Sequence, residues 1–282
     1  MRTPPSEKRV WVITGASSGF GRALAEAAVR GGHHVIGLAR SVEALGDLIS
    51  ANPDRVEGVS LDVTDAERVA SVVEEIIARH GQIDVLVNNA GRTHVGAVEE
   101  TSEVELRSLF DVHLFGPWAL IRSVLPHMRA RRTGSIVQMS SMGGQMSFAG
   151  FSAYSATKFA LEGMSEALAG EVAPFGIKVL IVEPGAFRTG LFGNFTRSEE
   201  LDAYFDTVGT TREMVATNDG VQPGDPAKAA AAILAALHAE RSPLHLPLGN
   251  DAVDAVLAHL DAVREDVAGW ERITRNTDLD GE

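Results

Sequence analysis

Val10-Trp11-Val12-Ile13-Thr14-Gly15-Ala16-Ser17-Ser18-Gly19-Phe20-Gly21 is the stretch whose reading decides the fold. Its first four residues are apolar and mostly β-branched, the composition of a short buried strand. Arg22 to Arg30 then has helical composition and stops at Gly31-Gly32. Strand, glycine turn and helix in that order leave the first N–H groups of the helix without partners and aim them at the turn. Such a helix N-terminus is a phosphate-binding geometry. Gly15, Gly19 and Gly21 are spaced G-x-x-x-G-x-G, which differs from G-x-G-x-x-G. The demand is the same: a tight turn without Cβ atoms, so that a pyrophosphate can approach the main chain.

Working outward, the pattern repeats. His34 to Ala39, Val56 to Leu61, Ile83 to Val87, Ser135 to Met139 and Ile177 to Val182 read as further strands. Helical stretches separate them. One opens at Thr64-Asp65-Ala66-Glu67, which has capping-box spacing, and closes at Gly81. Another is capped by Ser102-x-x-Glu105 and runs to about Arg131, with a bend expected at Gly116-Pro117. Apolar strands alternating with helices predict an α/β fold: one Rossmann-like, doubly wound parallel sheet covered on both faces. Asp225-Pro226 starts an alanine-rich helix, Leu244 to Leu246 a last strand, and Asp251 to about Trp270 a final helix. The expected organisation is a polar tail over 1–9 and a single domain over 10–282. Within it, 186–221 is a substrate loop or lid and 251–282 a C-terminal helix and tail.

The stretch Ser140 to Lys158 carries the candidate chemistry. Ser152 reads as an N-cap, so Tyr154-Ser155-Ala156-Thr157-Lys158 falls in the first turns of a helix. Residues four apart share a helix face, which sets the Tyr154 phenol beside the Lys158 ammonium. A neighbouring cation is expected to lower the phenol pKa and make Tyr154 a usable acid or base. Ser141, at the end of the preceding strand, is placed to hydrogen-bond an oxygen on which charge develops.

Thr14-Gly15-x-x-x-Gly19-x-Gly21, Asn88-Asn89-Ala90-Gly91, Ser141, Tyr154-x-x-x-Lys158 and Pro184-Gly185, in this order, resemble the short-chain dehydrogenase/reductase family over roughly Val10 to Leu248. The resemblance implies a single-domain fold with about seven parallel strands and a nicotinamide dinucleotide cofactor. It places Gly15, Ser17, Ser18, Gly19, Phe20 and Gly21 around the cofactor phosphates. Asp62, with Val63 beside it, falls to the adenine ring, and Asn88, Ala90 and Gly91 to the adenosine ribose. Pro184, Gly185 and Thr189 border the nicotinamide, and Tyr154 and Lys158 meet its ribose. The family's catalytic asparagine, which holds a water in a proton relay, falls at His113 here. An imidazole can relay a proton near pH 7, and it can equally be a satisfied core histidine; both readings stand at this point.

The second strand ends Ala39-Arg40-Ser41, without the acidic residue that holds an NAD ribose. NADP(H) is therefore expected over NAD(H), with Arg40 and either Ser41 or Ser17 on the 2′-phosphate. The apolar residues Met142, Met146, Phe148, Phe151, Phe187, Leu191, Phe192 and Phe195, together with Gln145, are expected to line a pocket mouth for an apolar or aromatic ketone or aldehyde and its alcohol. A non-catalytic NADP(H)-binding regulator and an epimerase or dehydratase of the same family are the alternatives. The family also commonly forms homodimers or homotetramers through the helices carrying His113 and Tyr154.

Composition narrows the field further. A net charge of −13 argues against nucleic-acid partners and anionic membranes. The absence of cysteine excludes disulfides, thiolate catalysis and Cys-bound metals. No metal site is expected from the nine dispersed histidines, and adjacent His33 and His34 would face opposite sides of a strand. No signal peptide is visible and a cytoplasmic location is expected.

Overall fold

The computed structural model describes residues 8–193 and 195–279. Most of the predicted polar tail (1–7), Asn194 and residues 280–282 lie outside the described residues. Seven strands form one parallel sheet: β1 (Val10–Thr14), β2 (His34–Ala39), β3 (Val56–Ser60), β4 (Val85–Asn88), β6 (Gly134–Met139), β7 (Ile177–Pro184) and β9 (His245–Leu248). Their order is β3-β2-β1-β4-β6-β7-β9. The chain winds outward in one direction from β1 to β3, then in the other from β4. The crevice at the C-terminal ends of β1 and β4 is thus the switch point where such sheets bind ligands.

Strand alternation explains the two helical layers. Trp11 and Ile13 point into a core shared with α1 (Gly19–Arg30) and α8 (Pro226–His238). Val10 and Val12 point the other way, against α3 (Ala66–His80), α5 (Gly116–Arg131) and α6 (Ser152–Val172). Each such side chain, fully withdrawn from water, contributes about 1.5–3 kcal/mol, which is why the strands read as unbroken apolar runs. A short α2 (Gly46–Ala51) precedes β3.

Several helix ends differ from the predicted ones. Asp65, not Thr64, caps α3, accepting from the Arg68 N–H; the Thr64 hydroxyl is taken by Asp62 Oδ1 at 2.8 Å. Helix α6 begins at Ser152, one residue after its cap position, and the Ser152 hydroxyl turns to the Gly96 carbonyl at 3.4 Å. Ser102 and Glu105 do form the predicted capping box, on α4 (Glu103–Phe110). The expected bend at Gly116-Pro117 is instead a π-helical turn over Asp111–Phe115, directly before α5. An inserted residue widens the helix there, and His113 sits in that turn.

The predicted lid contains structure that its sequence did not announce. β8 (Thr196–Arg197) pairs in parallel with β5 (His94–Val95), and α7 (Val208–Thr217) follows. His94 bonds Thr196 Oγ1 and Ser198 Oγ, each at 2.9 Å. The buried Glu100 carboxylate accepts from the Ala97 and Leu201 N–H groups and pairs with buried Arg212 of α7. Phe151, Phe192, Phe195 and Tyr204 close a small apolar cluster there with Val95 and Val208. The last helix, α9 (Asn250–Thr274), is longer than predicted.

Candidate active site

The glycine turn is built from both its neighbours. Gly15 and Gly19 take φ of 63° and 52°, the left-handed region that glycine tolerates without a Cβ penalty. A methyl group on Gly21 would stand 2.3 Å from the Gly15 carbonyl oxygen, so the helix packs directly on the turn. Thr14 and Asn89 fix this arrangement, although the sequence reading assigned neither a site role. Thr14 Oγ1 accepts from the N–H groups of Asn89 and Ala90 at 2.8 and 2.9 Å, and the Asn89 amide donates to the Thr14 carbonyl at 2.9 Å. The signal was the Asn-Asn pair itself. Asn88 turns inward to the buried Gln138 at 2.8 Å, so it supports the sheet and Asn89 clamps the turn.

Ser18, at the cap position of α1, makes no side-chain cap, and the first turn of the helix holds no acidic residue. Its leading N–H groups therefore fit an anion, as a dinucleotide pyrophosphate requires. Thr189 lies across the turn, because a Cβ on Gly19 would meet it at 3.0 Å. Phe20 packs on Phe187 with ring centroids 5.1 Å apart. Arg40 is exposed at the end of β2, and its charge helps to hold the Asp62 carboxyl low, after the two Thr64 hydrogen bonds. The Asp62 carboxylate is thus engaged in its own loop. The Ser41 hydroxyl is likewise engaged, donating to Glu43 at 2.7 Å. Val63 is buried beneath Gly116.

From the turn the site runs continuously to the chemistry of α6. Gly91 lies against the His113 ring, where a Cβ would meet Nε2 at 3.1 Å. His113 Nε2 accepts from the Arg92 N–H at 3.1 Å. The Thr157 hydroxyl donates to the Tyr154 carbonyl at 2.7 Å, so His113 Nδ1 is the donor in its 2.7 Å bond to Thr157 Oγ1. Both ring nitrogens are committed in this neutral tautomer. Burial, then the Lys158 and Arg92 charges, push the imidazole pKa well below its ordinary range. The ring also stands edge-on to Tyr154, at 5.7 Å between centroids.

Tyr154, Ser141 and Lys158 converge as the spacing predicts, but their electrostatics differ from expectation. The Tyr154 phenol is raised by burial, and a hydrogen bond with Ser141 opposes the rise. The expected depression by Lys158 is absent. The ammonium is 5.7 Å from the ring centroid and donates to the Met139 carbonyl at 2.8 Å. Burial also lowers the Lys158 pKa to about 8, with Glu162 opposing. Ser141 accepts from the Gly143 N–H at 3.0 Å, fixing its side chain at the end of β6.

Gln145, expected at the pocket mouth, turns away and donates to Glu183 at 3.0 Å. There it joins a cluster behind Lys158: Glu162 on α6, Glu183 on β7 and His245 on β9, with His245 Nδ1 and Glu183 2.7 Å apart. Glu162 and Glu183 are both buried. Burial raises the Glu162 pKa to about 7, with Ser140 opposing and Glu183 reinforcing. The histidines are also less scattered in space than in sequence. His33 stacks on Trp11 at 5.9 Å, while His34, on the opposite side of its strand, meets His80 at 4.7 Å beside Glu57. Arg79 holds the other Glu57 oxygen.

A glycine turn at the switch point of a parallel sheet, continuous with a serine, a phenol and an ammonium, defines a Rossmann-like oxidoreductase. The chain matches the short chain dehydrogenase family model over residues 9–200. It is 38% identical to the oxidoreductase BOA17 of Botryotinia fuckeliana (strain B05.10) over 248 residues, 87% of this chain and 90% of that protein. The crystal structure of a short-chain dehydrogenase from Streptomyces avermitilis superimposes with a TM-score of 0.92 at 62% identity, covering 97% of this chain and 99% of the other. A metagenomic short-chain oxidoreductase solved in complex with NADP aligns with a TM-score of 0.60 at 34% identity, covering 64% and 83%. The chain belongs to the short-chain dehydrogenase family, and it is an oxidoreductase with a nicotinamide cofactor. Among the described residues, no helix is long and apolar enough to cross a membrane.

Proposed function

We propose that this chain is an NADP(H)-preferring oxidoreductase that interconverts an apolar or aromatic ketone or aldehyde and its alcohol. The observation that carries the reading is the convergence of Ser141 and Lys158 on Tyr154, whose ring stands against His113 beside Gly91. The dinucleotide supplies the hydride chemistry. Tyr154 gives a proton to the carbonyl oxygen during reduction and takes it back during oxidation. Ser141, already bonded to the phenol, orients that oxygen. Lys158 holds positive charge behind the phenol and would hold the nicotinamide ribose. Burial keeps the Tyr154 phenol protonated, the form that reduction needs.

His113 positions the site in this reading and does not relay protons. It ties the loop after β4 to the helix that carries Tyr154, and neither nitrogen is free to shuttle. Arg40 gives the preference for a 2′-phosphate, since β2 ends in Ala39 with no carboxylate to repel it. Residues 186–221 cover the substrate, and Phe151, 6.0 Å from the Tyr154 ring, links that cover to the catalytic helix. The apolar faces of Phe151, Phe192 and Phe195 support an apolar substrate. The test is NADPH oxidation screened against ketones, quinones and steroids, with Tyr154→Phe as control. Turnover by the wild type that disappears in the variant supports the reading. Equal turnover by both proteins overturns it.

A further inference from the structure

At the end of the sheet opposite the glycine turn, two histidines and a glutamate meet. His34 opens β2, Glu57 is the second residue of β3, and His80 closes α3. Strand geometry brings the first two together. His34 and Ile36 share a face of β2 because side chains alternate, and Ile36 is the register partner of Glu57. Helix α3 covers that same face, with Ile36 and Ile76 in one core, and His80 lies one helical turn beyond Ile76. One ligand atom from each of His34, Glu57 and His80 lies within 4.8 Å of the other two. The dispersal of the histidines along the sequence hides this meeting point.

The hydrogen bonds there leave one lone pair over. His80 Nε2 and Glu57 Oε2 are 3.1 Å apart, near the ~3.3 Å edge of a tetrahedron with ~2.0 Å bonds. Arg79 holds the other Glu57 oxygen and so aims the carboxylate. His34 Nε2 is buried, yet it has no hydrogen-bond partner among the described residues. The Asp54 main chain bonds the same ring, and with Nε2 unpartnered that bond falls to Nδ1. A proton on Nδ1 leaves the Nε2 lone pair free, and an outer N–H held by a carbonyl is the usual support of a metal-binding imidazole. We infer that His34, Glu57 and His80 form a binding site for one divalent transition-metal ion of the zinc, cobalt or nickel type, with water completing its shell. The donor set selects the ion: imidazole suits zinc and its neighbours, whereas calcium and magnesium need several oxygen ligands. Local charge makes the same choice. Glu57 is the one carboxylate in the set, and Arg79 and Lys8 add positive charge around it. Those two cations weaken the site for every ion and exclude ions that bind by charge alone. Side-chain exposures of 18% for His80 and 26% for Glu57 leave a path for entry. Bound there, the ion ties β2, β3 and α3 together far from the catalytic helix, so its role is to stabilise the fold.

Equilibrium dialysis of the full-length chain, free of any affinity tag, against micromolar zinc chloride with magnesium in excess tests the site. One zinc per chain should bind, and magnesium should not displace it. His34→Gln and His80→Gln should each weaken binding by about tenfold or more. His245→Gln, in the separate cluster with Glu162 and Glu183, should leave it unchanged. Zinc should also raise the unfolding temperature of the wild type and not that of His34→Gln, since an ion bound only to the folded chain stabilises it. Cobalt in place of zinc should give the visible absorption of a site with imidazole ligands, a signature that needs no variant. Failure of the wild type to bind zinc, displacement by magnesium, or binding that survives His34→Gln overturns the proposal. Loss of binding in His245→Gln with none in His34→Gln overturns it too. Far-UV circular dichroism confirms that each variant keeps its helices before dialysis.

Discussion

Replacing Glu162 by Gln removes a buried carboxyl whose ionisation the fold resists. Its pKa rises from 4.5 to about 7, chiefly through burial, with Glu183 adding to the rise. The folded chain therefore holds this proton more tightly than the unfolded chain does. The associated stability is fully present below pH 4.5 and is lost as pH rises through 7. A shift of this size corresponds to about 3 kcal/mol in all, of which about 2.5 kcal/mol falls between pH 5 and pH 8. Glutamine keeps the shape and does not titrate. Urea unfolding of the dinucleotide-free protein, followed through the fully buried Trp11, gives the stability of each form at the two pH values. Other titrating groups are common to both proteins, so the stability difference isolates this site. The exception is Lys158, whose charge Glu162 supports; without that support its folded pKa falls further, which adds to the gain and makes 2.5 kcal/mol a floor. Relative to wild type, Glu162→Gln should gain stability on going from pH 5 to pH 8. A difference that is the same at both pH values would refute the argument that burial controls this carboxyl.

Tyr154→Phe should reduce turnover by about 10²–10⁴-fold while leaving the NADPH dissociation constant within about twofold, as steady-state kinetics and fluorescence titration would show. Arg40→Ala should weaken NADPH by about 10–100-fold and leave NADH unchanged, the scale of a charge-assisted hydrogen bond; equal losses for both cofactors would remove Arg40 from the phosphate. Gly21→Ala drives a methyl group against the Gly15 carbonyl and should cost about 1–3 kcal/mol of stability together with most dinucleotide affinity, measured by urea midpoint and titration. The depressed His113 pKa gives stability that is present above pH 6.5 and lost as pH falls, so His113→Asn should flatten the acid limb of the stability profile; an unchanged limb would mean another group governs it.

The sheet was legible because buried parallel strands must be apolar on both faces, as Val10 to Ile13 are, and because glycine and capping residues punctuate the helices. Tyr154 and Lys158 were legible because helix geometry alone makes residues four apart neighbours. What sequence could not supply depends on parts distant along the chain. Lys178 and His245 illustrate the limit: the first reaches the Leu237 and Ala239 carbonyls, the second meets Glu183, across tens of residues. The Tyr154 phenol was misjudged for the same reason, since a neighbouring cation is local and burial is not. The small sheet of β5 and β8 has two residues per strand, too few for a period to show. Gln145 looked like a pocket residue until the fold set it facing two buried carboxylates.

The widened turn at Asp111–Phe115 constrains how this scaffold can be recombined. Deleting one residue there would restore ordinary α spacing and rotate everything beyond it by about 100° relative to α4. His113 would then swing out of its joint with Arg92 and Thr157, and α5 would present the wrong face to the sheet. A chimera that borrows α4 or α5 from a relative must therefore carry the extra residue with it, whatever the identity of the side chains around the join.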